Sequence, residues 1–126
     1  MASDRTTDAP GDRFDGHARA DRNNLFLHRA ALEKLDALPD GRKACLKLVD
    51  SWLAAPQQPA RRWLEEWRTM LADWPVERIA GVVLAEDAGQ SLRQCSPLGP
   101  LLSPTERWRL LEEARRLDET QRGAAR

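Results

Sequence analysis

The chain has no tyrosine, only two phenylalanines, two methionines and two cysteines, and lysine only at Lys34, Lys43 and Lys47. Cys45 and Cys95 lie far apart in sequence, with no CxxC pair and no nearby histidine, so a zinc ribbon or finger is excluded. Two reduced thiols and no bound metal or cofactor are the expectation. No apolar run approaches the roughly 20 residues that span a bilayer, and Met1 to Gly16 contains no hydrophobic signal segment, so a cytoplasmic protein without membrane contact is expected. An excess of one charge is missing as well. The 20 Lys and Arg balance 20 Asp and Glu, which leaves no global field to draw the molecule onto nucleic acid or an anionic membrane. The preference for arginine over lysine, together with abundant alanine, predicts a GC-rich bacterial genome.

Catalytic patterns are absent too. There is no glycine-rich phosphate loop, no HExxH and no GxSxG turn. His28 falls on the leucine face of a helix, where a hydrogen-bonded structural histidine is the plain reading, and His17 lies in the N-terminal segment. Cys45 is on an apolar face, and Cys95 falls near the C-terminal end of a short helix, which would not activate a thiol. The acidic pairs Glu65-Glu66, Glu86-Asp87 and Glu112-Glu113 occupy adjacent helix positions, which point apart and do not converge on one substrate atom. An enzyme is therefore not expected, and no catalytic residue is assigned.

What the chain does have is five tryptophans, Trp52, Trp63, Trp67, Trp74 and Trp108, in 126 residues. A tryptophan buries roughly 150 to 250 Å², so five at helical spacing predict a helical core or a partner that covers some of them. Residues 1–23 mix Asp, Arg, Thr, Gly and Pro10 with a single large apolar group, Phe14, and read as a disordered tail. From Asn24 onward, with Asn23 or Asn24 as N-cap, Leu25, His28, Leu32, Leu35 and Leu38 recur at helical intervals. Pro39-Asp40-Gly41 ends that helix, and a second carries Cys45, Leu48, Val49 and Trp52 until Pro56. A third starts near Pro59 with Trp63, Trp67, Met70, Leu71 and Trp74 on one stripe and Arg61/Glu65 and Arg62/Glu66 pairs opposite. A fourth, from Pro75 to about Ala85, is apolar nearly all round and reads as the central helix. A short helix over Asp87 to Cys95 is anchored by Leu92 and Cys95.

Ser103-Pro104-Thr105-Glu106 is a capping box with proline in the first turn, starting a last helix that runs to about Thr120 and presents Trp108, Leu111, Ala114 and Leu117. Strand signals are absent. The expectation is an all-α, compact bundle of five or six short helices: a disordered tail over 1–23, one helical domain over 24–120 and a frayed C-terminus over 121–126.

Two surfaces remain candidates for function. Leu98, Leu101 and Leu102 lie in a segment that Pro97, Pro100 and Pro104 keep out of regular helix. Three leucines in a loop need a cover, either the domain itself or a partner chain. With Trp108 they form the candidate partner-binding set. The alternative is a helix-turn-helix at 76–95 that presents Gln90, Arg93 and Gln94 to DNA, although its turn is acidic and it offers one arginine.

Three stretches, Leu27-His28-Arg29 with the residues to Leu35, Leu92-Arg93-Gln94-Cys95-Ser96-Pro97-Leu98, and Leu102-Ser103-Pro104-Thr105-Glu106-Arg107-Trp108, resemble a family of small hypothetical bacterial proteins. Its members share an LHR helix, an LRQSSPF element and LSPxERW, and the resemblance covers Leu25 to Arg116. Cys95 and Leu98 stand where the family has serine and phenylalanine. The resemblance implies no particular activity. An association with toxin-antitoxin type gene pairs implies a non-enzymatic partner protein, antitoxin-like in role.

Overall fold

The computed structural model describes the backbone over residues 10–124 and the side chains from residue 19 to 121. Among these residues there are six α-helices, one 3-10 turn and no strand: α1 Pro10–Leu35, α2 Gly41–Leu53, α3 Arg61–Asp73, α4 Val76–Val83, α5 Gln90–Gln94, the turn Gly99–Leu101, and α6 Pro104–Ala124. The punctuation follows local chemistry. Proline occupies the first helical position of α6, where its missing N–H costs nothing, and the Pro39, Pro56, Pro59 and Pro75 segments separate the others.

The core is assembled around α1, whose Leu27, Ala31, Leu32 and Leu35 form one stripe. Cys45 and Val49 of α2, Leu64, Trp67, Met70 and Leu71 of α3, Ile79 and Val83 of α4, and Leu92 of α5 close on it. The indole N–H of fully buried Trp67 donates to the Leu92 carbonyl at 2.8 Å, which ties α3 to α5. Trp52, Trp63 and Trp74 are half-buried at the core's edge, where Arg62 and Arg78 stack over Trp63 and Trp74 at 4.8 and 3.8 Å. The tryptophan stripe is thus core at its centre and amphipathic at its ends. α4, read from sequence as the central helix, buries only Ile79 and Val83. Its remaining apolar residues are half-covered, because α1 and α3 take the central place.

Three sequence expectations shift. Residues 10–23 are helical as part of α1; the rest of the expected tail lies outside the described residues. This helical extension is held by charge, with Arg22 donating to Asp118 at 2.9 Å and Arg19 3.6 Å from it. The same helix stops at Leu35, leaving Leu38 exposed in the turn. A Cβ on Gly41 would collide with the Leu35 carbonyl and approach Leu101, so the α1–α2 turn needs a glycine there. At the other end, α6 continues past Thr120 to Ala124.

The third shift concerns the proline segment. Leu98 and Leu101 are 2% and 3% exposed and belong to the core, while Leu102 is half-buried against it. The domain itself supplies the cover, since α1 and α2 pack on the 3-10 turn. Leu98 and Leu101 are therefore not partner-facing. Leu101→Ala should cost about 2 to 5 kcal/mol, the range for truncating a buried leucine, measured by urea unfolding; a loss below about 0.5 kcal/mol, typical of surface positions, would show that the loop is not core.

Candidate functional site

Arg93 was the residue proposed to read DNA. Its place is inside: the residue is 3% exposed. Leu92, buried and held by the Trp67 indole, fixes α5 so that the next side chain turns onto the C-terminal end of α4. One terminal nitrogen, Nη1, donates to the carbonyls of Val83 and Ala85 at 2.7 and 2.8 Å. The other, Nη2, donates to the carbonyl of Glu86 at 2.9 Å and to Asp21 of α1 at 3.3 Å. Gly89 sits where a Cβ would overlap the carbonyls of Val82, Val83 and Ala85, so glycine lets the turn close around the guanidinium. Arg93 is thus a cap for a helix end. Gln90 and Gln94 are exposed, on a helix of only five residues, so the three candidate DNA contacts do not form one reading surface.

His28, one of the two buried charged or polar residues among those described, is 8% exposed. Its Nδ1 lies 2.8 Å from the Asn24 carbonyl. A carbonyl only accepts, so Nδ1 carries the proton and Nε2 of the neutral ring presents a lone pair. Burial lowers the His28 pKa from its ordinary 6.5; the Asn24 hydrogen bond opposes this, and the nearby Arg93 and Arg107 charges add to it.

His28 and Arg93 line the same cleft of about 180 Å³, together with Asn24, Gln94, Ser96, Leu98, Leu102 and Arg107. No aspartate or glutamate is among its lining residues. His28 Nε2 and Arg93 Nε are both buried without a hydrogen-bond partner in the protein. Each such atom costs about 1 to 3 kcal/mol. Leu27–Leu35, Leu92–Leu98 and Leu102–Trp108 meet here, contributing His28, then Arg93, Gln94, Ser96 and Leu98, then Leu102 and Arg107. Neither His28 nor Arg107 stood out as a site residue in the sequence; their common signal was membership of those stretches.

The thiols are unactivated. Burial pushes Cys45 up to about 11 and raises Cys95, which also donates to the Ser91 carbonyl at 3.4 Å. Among the described residues no three His, Cys, Asp or Glu side chains group as metal ligands, and no helix is long and apolar enough to cross a membrane.

The other candidate surface is α6. None of its described residues belongs to the buried core. It lies along α1, antiparallel to it, with Lys34 paired to Glu106 near one end and Arg22 to Asp118 near the other. The capping box forms as predicted: the Ser103 N–H donates to Glu106 at 3.0 Å and the Glu106 N–H to the Ser103 hydroxyl at 3.1 Å. Trp108 is 65% exposed, and Leu117 is also exposed. A groove of about 470 Å³ runs beside Trp108 and Leu111, and one of about 270 Å³ beside Leu25, Phe26, Ala114 and Leu117. Of the four proposed partner-binding residues, Trp108 alone is presented to solvent.

Comparison with protein-family models, curated proteins and solved structures finds no match.

Two predictions follow from the geometry of Arg93 and His28. Arg93→Lys keeps the charge but cannot serve four acceptors spread around a planar fork. It should cost at least about 2 kcal/mol by denaturant unfolding, because two or more carbonyls lose their donor at about 1 to 3 kcal/mol each, whereas Asp21→Asn, on a partly exposed pair, should cost less than about 1 kcal/mol. Equal losses in the two variants would place the energy in the ion pair and not in the carbonyl cap. For His28, the folded-state pKa lies below the unfolded value of 6.5. The unfolded chain therefore takes up a proton first as pH falls. His28's contribution is whole above pH 6.5 and is lost as pH falls toward the folded-state pKa. The slope of stability against pH over that window should be shallower in His28→Gln than in the parent; parallel slopes would contradict this.

Proposed function

We propose that the protein is a non-enzymatic accessory that binds a protein partner, antitoxin-like in role, through the face that α6 and α1 present to solvent. The observation that carries the reading is Trp108, a large ring mostly in water on a helix that adds nothing to the buried core. An aromatic side chain surrounded by half-buried aliphatic residues and rimmed by arginines and carboxylates has the composition of a binding hot spot. The favoured occupant is an amphipathic helix of the partner, because both grooves lie along the α1–α6 pair and a helix seats apolar anchors three and four residues apart in such a groove. Arg19, Arg115, Glu112 and Glu119 beside Trp108 offer charges of both signs, so recognition would not rest on net charge.

Several observations support a role without chemistry. Both thiols are shifted away from reactivity, and His28 is held by a backbone carbonyl at one nitrogen. DNA reading draws no support from Arg93, whose donors serve α4 and Asp21.

The double variant Trp108→Ser with Leu117→Ser tests the reading, since neither side chain is buried. It should unfold within about 0.5 kcal/mol of the parent, as exposed positions do, and lose a partner that a photo-crosslinker at position 108 captures. Sedimentation of the pure protein separates a heterologous partner from a second copy. Failure of the crosslinker to capture any protein from the native host, or capture unchanged by the double substitution, would count against this face.

A further inference from the structure

We infer that a second copy of this chain covers the groove beside Leu25, Phe26 and Leu117, two α1–α6 pairs closing into an antiparallel four-helix bundle. The inference rests on the reading that the α1–α6 face binds a helix; it assigns this groove to an identical chain and leaves the Trp108 groove to the protein partner. Leu25, Phe26, Leu110, Ala114 and Leu117 neither belong to the buried core nor pack against it. They form a separate apolar strip, half-buried except for exposed Leu117, where α1 and α6 lie side by side. A helical layer is stabilised when such a strip is buried against a second layer, and two antiparallel pairs stacked face to face supply it.

Symmetry and charge select the occupant. The pairs Lys34–Glu106 and Arg22–Asp118 fix which residues of α1 and α6 stand level. A two-fold axis along the helices keeps every level, so it lays α1 of one copy over α6 of the other in that same register. Phe26 then stands level with Ala114 of the second copy, within a turn of its Leu117. Arg29, which lines the groove, stands level with Leu111 of the second copy, about 3 Å along the axis from its Glu113. Glu113 lies one turn before Leu117 on the same side of α6. Arg29 and Glu113 are both exposed, and neither has an ion-pair or hydrogen-bond partner within the chain among the described residues. The two-fold brings these opposite charges together twice. The 21 residues of α6 run about 31 Å. Two helices abreast are about 20 Å wide, so a second pair laid on them covers on the order of 600 Å² of each copy, about 1,200 Å² in all, the lower end of stable interfaces.

Sedimentation equilibrium of the pure full chain should show a reversible monomer–dimer equilibrium at micromolar to millimolar concentration. Leu117→Ser should weaken the dimer about tenfold or more, as removal of a central apolar anchor does. Trp108→Ser, half a turn away on the other side of α6, should leave it as in the parent. Charge reversal locates the contact between copies. Arg29→Glu and Glu113→Arg should each weaken self-association about tenfold, because two symmetry-related pairs turn from attractive to repulsive. An equimolar mixture of these two variants should associate as the parent does, since every contact in the mixed dimer joins opposite charges again. A pair formed within one chain is not rescued by mixing. All four substitutions replace exposed side chains, and circular dichroism should show each variant folded. The inference is overturned by a parent that stays monomeric, by a dimer that Leu117→Ser leaves intact or Trp108→Ser abolishes, or by a mixture no tighter than its components. Capture of a partner by the crosslinker at position 108 stands or falls separately, so a monomeric parent leaves that reading of the face in place.

Discussion

The guanidinium of Arg93 is the contact on which the arrangement depends. It joins three elements: the end of α4, the turn into α5, and α1 through Asp21. A charge withdrawn from water costs several kcal/mol unless its donors are satisfied, and three carbonyls with one carboxylate meet most of that demand. The fold consequently fixes the position of α5 with an arginine where a longer helix would use hydrophobic packing. The one donor left over, Nε–H, is itself buried and has no hydrogen-bond partner in the protein.

Arg93 belongs to a wider pattern. Helices commonly end with a left-handed glycine that satisfies the last carbonyls, yet no glycine or other residue among those described has positive φ. Arginines from elsewhere in the chain do the work instead. Arg61 donates to the carbonyls of Leu53 and Ala55 beyond α2 at 2.8 and 3.3 Å. Arg42 donates to Leu71 of α3 at 3.0 Å and is itself oriented by Asp36, whose carboxyl it holds below the usual range. A planar group with five donors reaches two carbonyls at once, which a lysine cannot. Three arginines, Arg42, Arg61 and Arg93, thus serve backbone oxygens.

The all-α class, the proline-delimited helices and the capping box at Ser103 were legible because each rests on local chemistry: periodicity, fixed φ, or a side chain three residues from its acceptor. The failures share a cause in long-range contacts. Residues 10–23 looked incapable of order because apolar anchors are few, but the part of that helix whose side chains are described is secured by Arg19, Arg22 and Asp21 to residues far along the chain. Leu98 and Leu101 could equally have met a partner; only the position of α2 decides that they meet their own core. Arg93 read as a surface cation because its acceptors are main-chain oxygens, which no residue type announces. The site was half visible: Gln94 and Arg93 had been noted for another role, and His28 was correctly placed on a buried face, but nothing in their spacing brings Arg107 beside them.

The peripheral position of α6 is a consequence of how the core closes. Once α1 has spent its Leu27, Ala31, Leu32 and Leu35 stripe on α2 to α5, its remaining side offers Leu25, Phe26 and a row of arginines. The helix that packs there is held by ion pairs at its two ends and by half-buried Leu110, Leu111 and Ala114 between them. Exposed ion pairs contribute little, about 0 to 1 kcal/mol each, so the half-buried leucines along α1 do most to hold α6 in place. The helix also contributes Arg107 to the cleft near its N-terminal end and Trp108 to the opposite groove, one residue apart and therefore on different sides of the helix.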